Sequence, residues 1–259
     1  MYKLALIGCG YLSEIVANAV ANGILPEYEL VGILGRNPKT AEAFASRHHC
    51  KMCGTIKELM ALKPDFTAEA ASVQSIRDYS EVILNNGSNL VVLSIGAFAD
   101  ATLYQKVQET AVKNNRKVYI ASGAVGGFDV IQTAALMESA NVSFHSRKAP
   151  ASLVHTPLNK TGLQDITDPQ SVFSGTAADA IAILPGHVNV AVATSLASVG
   201  PDRMQVNIEA VPGFQGDEYK IEVHGKEVRT DLNIYSRTSQ IAGWSVVRIL
   251  RNAVAPVVF

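Results

Sequence analysis

Residues 3–20 read KLALIGCGYLSEIVANAV. A short apolar run meets a Gly-Cys-Gly turn and is followed by Leu12, Ile15, Val16, Ala19 and Val20 at helical spacing. Strand, glycine turn and helix in this order match a dinucleotide fingerprint. Its first glycine makes the tight turn, its second lets the backbone approach a pyrophosphate, and its third lets the helix pack close to the strand. Gly8 and Gly10 fill the first two places, and Ser13, small but hydroxylated, stands in the third. The amides of Tyr11 and Leu12 then open the helix that would face the anion. A purely structural turn between a buried strand and its helix has the same local pattern, so the rest of the chain must separate the two readings.

Outward from the turn, strands and helices alternate. Strands are expected at 2–7, 29–34 and 66–70, in NLVVLSIGAFAD (89–100) and in KVYIAS (117–122). Helices are expected at 12–22, 38–47 and 55–62, and near 76–85 and 103–114. The strands are continuous apolar runs, as in a parallel sheet covered on both faces, which makes this half α/β with a doubly wound parallel sheet. After Gly123 the texture changes. A helix finishes at 135–139, and NVSFHSR, DRMQVNIEAV, YKIEVHG and KEVRTDLNIYS alternate polar with apolar residues between turn signals. Half-polar strands of this kind suit a mostly antiparallel sheet in a second, α+β domain. The expected division is 1–123 and 124–259, with a last helix near 238–252 able to pack back on the first domain.

The 259 residues are 48% hydrophobic with a formal net charge of −1, and no basic block is present to follow a phosphate backbone, so nucleic acid is not an expected partner. No apolar run reaches the roughly 20 residues that cross a bilayer. The three cysteines, an odd number, do not suggest a disulfide framework. A soluble cytoplasmic chain without a signal peptide is the expectation.

A dinucleotide site usually carries an acid about 20 residues past the glycines, on the ribose 2′-hydroxyl. Here the stretch is GILGRNPKT, with Gly35, Arg36 and Asn37 at that place. Without a carboxylate to repel it, a 2′-phosphate can pair with Arg36, which favours NADP over NAD; a solvated surface arginine is the alternative.

Four stretches carry a family resemblance: EAASVQSIRDYSEVIL (69–84), LSIGAFAD (93–100), ASGAVGGFDVI (121–131) and SGTAADAIAILPGHVNVAVATSLASVGPDRMQV (174–206). In these motifs and their order the chain resembles the L-aspartate dehydrogenase family over nearly its whole length. The resemblance implies a Rossmann domain and a catalytic α+β domain that forms a homodimer. It also implies NAD(P)-linked interconversion of aspartate with iminoaspartate, which hydrolyses to oxaloacetate or feeds NAD biosynthesis. It places the nicotinamide-side loop at Ser122 to Gly127, including Ala124, and matches the family's Asn-x-Asn-Val to HVNV, where Asn189 keeps the second asparagine and His187 stands at the first. Arg147 and Lys148 in SRKAP, and Arg237, Thr238 and Ser239 in SRTS, match stretches that would hold the substrate's carboxylates.

One departure matters most. Aligned through Ile221, Glu222 and Val223, the family's catalytic histidine falls on Tyr219. Amine oxidation needs proton removal as well as hydride transfer, and histidine, with a pKa of about 6.5, suits that work near neutrality. Tyrosine, at about 10, needs help from its surroundings. Three readings stand: Tyr219 donates or orients a proton, His187 takes over as base, or aspartate dehydrogenation is lost and a nucleotide-binding paralogue with another substrate or no turnover remains. The HHCKMC run at 48–53 is half a zinc motif without a second half, so no metal is expected.

Overall fold

The computed structural model describes residues 1–159, 162–184 and 188–258. The chain divides into two compact units, 1–123 with 240–259, and 124–239.

The first unit is built on six parallel strands: β1 (Tyr2–Ile7), β2 (Tyr28–Leu34), β3 (Lys51–Cys53), β4 (Phe66–Glu69), β5 (Asn89–Val92) and β6 (Val118–Ile120). Their order across the sheet is β3-β2-β1-β4-β5-β6. The order reverses between β1 and β4, and it is outside the carboxyl ends of strands at such a switch point that doubly wound sheets bind ligands. The helices between the strands are α1 (Tyr11–Ala21), α2 (Pro38–Arg47), α3 (Ile56–Met60), α4 (Val73–Asn85) and α5 (Ala101–Lys113). Their starts are written in the sequence, because Asn37, Thr55, Ser72 and Asp100 each accept a hydrogen bond from a first-turn amide. Leu4, Leu6, Val16, Ile33, Phe44 and Val91 sit in the core of this unit.

The NLVVLSIGAFAD run does not continue as strand. It stops at Val92, and Ile95–Ala99 forms a 3-10 turn before α5.

The second unit has α6 (Phe128–Met137), β7 (Asn141–Lys148), β8 (Gln170–Thr176), α7 (Ala177–Ile183), α8 (Asn189–Leu196), β9 (Gln205–Ala210), β10 (Asp217–His224) and β11 (Arg229–Ser236). The sheet order is β11-β10-β7-β9-β8, antiparallel except for the β7–β9 pair. The alternation expected from sequence divides this sheet into two faces. Val142, Phe144, Tyr219, Ile221 and Val223 are buried on one, and Ser143, His145, Arg147, Lys220 and Glu222 lie on the other. The reading missed β8, whose only buried residue is Phe173, because a polar strand at a sheet edge carries no apolar alternation.

The last helix, α9 (Gln240–Val254), belongs to the first unit, where Gly243 lies against Ile15 of α1 and Tyr28 Oη donates to the Leu250 carbonyl at 2.6 Å.

Candidate active site

The carboxyl ends of β1, β2 and β4 open on a crevice of about 580 Å³ lined by Gly8, Gly10, Gly35, Arg36, Ala71 and Tyr79 among others. Gly8 has φ +102°, and a Cβ there would stand 2.5 Å from the Ala70 carbonyl oxygen, so only glycine fits. At Gly10 a Cβ would meet nothing within 4 Å, so this backbone faces open space. Gly10 is also the N-cap of α1, and no side chain caps that end. Tyr11 is exposed and Leu12 half-buried there. An uncapped helix start, a Gly-Cys-Gly turn whose two glycines leave the backbone bare and a crevice of this size fit the diphosphate of a dinucleotide.

At the end of β2, Arg36 is exposed and lines the crevice beside Asn37 and Thr40. Asn37 Oδ1 is engaged as the cap of α2, accepting from the Thr40 amide at 3.3 Å. That leaves Arg36 as the cationic side chain at the place where a ribose-binding acid would sit. Ser13 is fully buried, and its Oγ has no partner among the described residues.

Sequence reasoning passed over Glu69. It ends β4, is fully buried, and accepts from the Ala71 and Ser72 amides at 2.8 Å each, from the Ser94 amide at 3.0 Å and from Ser94 Oγ at 2.8 Å. Burial pushes its carboxyl above the ordinary value, and the four donors act against that. One side chain thereby fixes the loop after β4, which walls the crevice, to the loop after β5. The available signal was an acidic residue ending an apolar strand directly before a helix cap.

In the second unit, Tyr219 on β10 is 5% exposed and pairs across the ladder with Ser146 of β7. Two residues along, Lys148 pairs with Asp217. Lys148 Nζ donates to Tyr219 Oη at 3.2 Å, lies 5.2 Å from the ring centroid and forms an ion pair with Asp217. Burial works against the Lys148 ammonium, but its interactions with Tyr219 and the Asp217 carboxylate outweigh that, and its pKa is raised. Burial also raises the Tyr219 phenol, more than Lys148 lowers it. Both groups therefore hold their protons at neutral pH. Ser146 Oγ is buried without a partner among the described residues, and Ser146, Lys148 and Tyr219 line a cavity of about 30 Å³ with Val188, Val190 and Ala191, which flank Asn189 at the start of α8.

The other sequence-derived candidates divide. Gly216 brings its backbone against Ser236 and Arg237, so exposed Arg237, Thr238 and Ser239 leave β11 at the same end of the sheet as Asp217 and Lys148. Arg147 does not join them. It lies on the opposite face, with Nε on Glu209 and Nη1 on Glu218, each at 2.9 Å. Ala124 is half-buried at the first position of the second unit. Gly127 caps α6 at φ +72°, where a Cβ would stand 2.6 Å from Leu232, so its glycine is structurally required. His187 lies outside the described residues. In the HHCKMC run, His48 Nε2 lies 2.7 Å from Glu14, and burial raises the Cys50 thiol to about 11. No helix among the described residues is long and apolar enough to cross a membrane.

The strand order and the glycine crevice define a dinucleotide-binding class of α/β protein, and the comparisons narrow it to dehydrogenases. Residues 8–121 match the family described as "Homoserine dehydrogenase, NAD binding domain", and residues 129–253 match "Aspartate dehydrogenase, C-terminal". The L-aspartate dehydrogenase of Methanococcus maripaludis is 32% identical, with 99% of this chain and 98% of the relative covered. That of Methanocaldococcus jannaschii is 30% identical with the same coverage. The crystal structure of aspartate dehydrogenase from Thermotoga maritima superposes with a TM-score of 0.80 over 100% of this chain and 99% of the other, at 24% identity, and so agrees in fold. The chain belongs to the L-aspartate dehydrogenase family.

Proposed function

We propose that the chain is a dehydrogenase that prefers NADP to NAD and interconverts an amino acid, with aspartate the leading candidate, with its imino acid, which water resolves to the 2-oxo acid and ammonia. The observation that carries this reading is the uncapped glycine turn and its crevice in a chain 32% identical over 99% of its length to an L-aspartate dehydrogenase. When bound, the nicotinamide exchanges a hydride with the substrate's α-carbon.

In this reading Gly8, Gly10 and the Tyr11 and Leu12 amides hold the diphosphate. Arg36, with Asn37 beside it, takes the 2′-phosphate, and Ala124 and Asn189 serve the nicotinamide end. Arg237, Thr238 and Ser239 hold substrate carboxylates beside Lys148. Tyr219 Oη carries the exchanged proton, and Lys148 stabilises the phenolate left behind. Because burial keeps the phenol protonated, oxidation of the amine runs fastest at alkaline pH. Arg147 is assigned instead to tying β7 to β9 and β10 through Glu209 and Glu218. A cytoplasmic homodimer is the proposed state, which sedimentation checks.

Incubation with NADP and a panel of amino acids at alkaline pH should produce NADPH with aspartate. Silence across the panel, and in reverse with oxaloacetate and ammonium, contradicts the reading. Tyr219 in place of histidine favours a second one, a nucleotide-binding paralogue without dehydrogenase activity. It requires tight NADP binding without turnover, and a Tyr219→His variant that gains turnover.

A further inference from the structure

The polar face of the second sheet carries a group of side chains that neither the crevice nor Tyr219 uses. Glu222 of β10 and Asp231 of β11 are direct partners across the ladder, and His224 follows on the same face of β10. Like charges placed directly opposite each other destabilise a ladder, so two carboxylates in register call for cations. The chain supplies two, each on one oxygen: Lys220 Nζ pairs with Glu222 Oε1, and Arg229 Nε lies 3.2 Å from Asp231 Oδ2. The second Asp231 oxygen, Oδ1, lies 3.4 Å from His224 Nε2. One ligand atom from each of Glu222, His224 and Asp231 lies within 4.8 Å of the other two. Ligands bonded to a tetrahedral ion stand about 3.4 Å from one another, so the His224–Asp231 pair already has that spacing and small side-chain rotations close the rest. Glu222 Oε2 accepts from Ser143 Oγ at 3.0 Å and lies 3.1 Å from His145 Nε2, the kind of outer contact that orients a ligating carboxylate.

We infer that Glu222, His224 and Asp231 form a binding site for a divalent transition-metal ion of the zinc class, which joins the two strands of the β10–β11 hairpin. One imidazole nitrogen and two carboxylate oxygens suit such an ion, with its remaining position left to water, whereas magnesium and calcium take oxygen ligands. The three side chains are half-buried or exposed, so an ion reaches them from solvent. Lys220 and Arg229 compete with it for the same carboxylates, and the ion binds by displacing them. In their place it puts one centre that bonds both strands, near the hairpin turn where Glu138 accepts from the Glu227 and Val228 amides. The site lies within the second unit and is independent of the dinucleotide reading of the crevice.

The test is calorimetric titration of the chelator-treated full chain with Zn²⁺ and with Mg²⁺, alongside melting curves. One Zn²⁺ per chain, a higher melting temperature with Zn²⁺ and at least about 100-fold weaker binding of Mg²⁺ are expected. His224→Ala and Asp231→Asn should each weaken Zn²⁺ binding at least about 10-fold. Lys220→Met with Arg229→Gln removes the competing cations and should tighten it about 10-fold, a gain that a damaged fold would not produce. Replacing both cysteines of the HHCKMC run, Cys50→Ser with Cys53→Ser, should leave Zn²⁺ affinity as in the wild type. Absence of Zn²⁺ binding, equal affinity for Mg²⁺, or unchanged Zn²⁺ affinity in His224→Ala and Asp231→Asn overturns the inference. So does a loss of binding that follows the two cysteines instead.

Discussion

The crevice of the first unit and the Lys148–Asp217–Tyr219 array of the second are built from different materials. The crevice is main chain: two glycines without side chains, a helix start that no side chain caps, and a loop whose carbonyl touches Gly8. The array is side chain, and its members come from different strands, with Lys148 and Tyr219 separated by 71 positions. A backbone site follows from a few consecutive residues, whereas a side-chain site exists only once β7 and β10 are paired in one register. A shift of that register by one residue would put Lys148 and Tyr219 on opposite faces.

This contrast can be broken at several points. Gly8→Ala should have the largest effect. Its left-handed backbone and its contact with the Ala70 carbonyl leave no room for a methyl group, so a stability loss of about 2–4 kcal/mol and at least ~100-fold weaker nucleotide binding are expected. Melting curves and calorimetry read both, and wild-type binding by this variant would break the main-chain account of the crevice.

Glu69→Gln comes next. An amide cannot accept from four donors, and its NH2 must face a main-chain N–H, so a loss of about 2–3 kcal/mol is expected. Nucleotide affinity should fall by about 10-fold as the loop after β4 loosens. An unaltered melting temperature would show that the carboxylate does not clamp the two loops.

The polar face of the second sheet gives a smaller, pH-dependent effect. Hydrogen bonds from Lys220 and Ser143 lower the Glu222 carboxyl to about 2 from an ordinary 4.5. A carboxyl depressed in the folded state stabilises the fold above its unfolded pKa, and that contribution is lost as pH falls through the folded value. Melting temperature should therefore drop between about pH 4.5 and 2, and Glu222→Gln should make that arm shallower. Equal slopes for the two proteins would contradict the assignment. Smallest is Ser13→Ala, which removes a buried hydroxyl that has no partner among the described residues and should raise stability by up to about 1 kcal/mol. A lower melting temperature would show that the hydroxyl is satisfied after all.

Much of the first unit was legible because its signals are local. Pro38 after Asn37 starts α2, the apolar run of β1 ends at Gly8, and the glycine spacing gives the turn. The second unit was legible where strands alternate, as in β10, and illegible where they do not, as in β8. In the candidate site, Tyr219 was visible as a departure from the family pattern. Its neighbour in sequence, Lys220, faces away and pairs with Glu222, and the cation beside the phenol is Lys148 from β7. Glu69 was hidden for the same reason, since its Ser94 partners lie 25 positions away across two loops. Arg147 looked equivalent to Lys148, and the alternation of β7 sends it to the other face.

The crevice at the β1–β4 switch point is proposed to hold a pyridine dinucleotide, with Arg36 choosing the phosphorylated one. Calorimetric titration of the purified chain with NADP and with NAD tests it most directly. One saturable site per chain is predicted, with NADP bound at least ~10-fold more tightly and that preference lost in Arg36→Ala. No heat and no thermal shift with either nucleotide would contradict it.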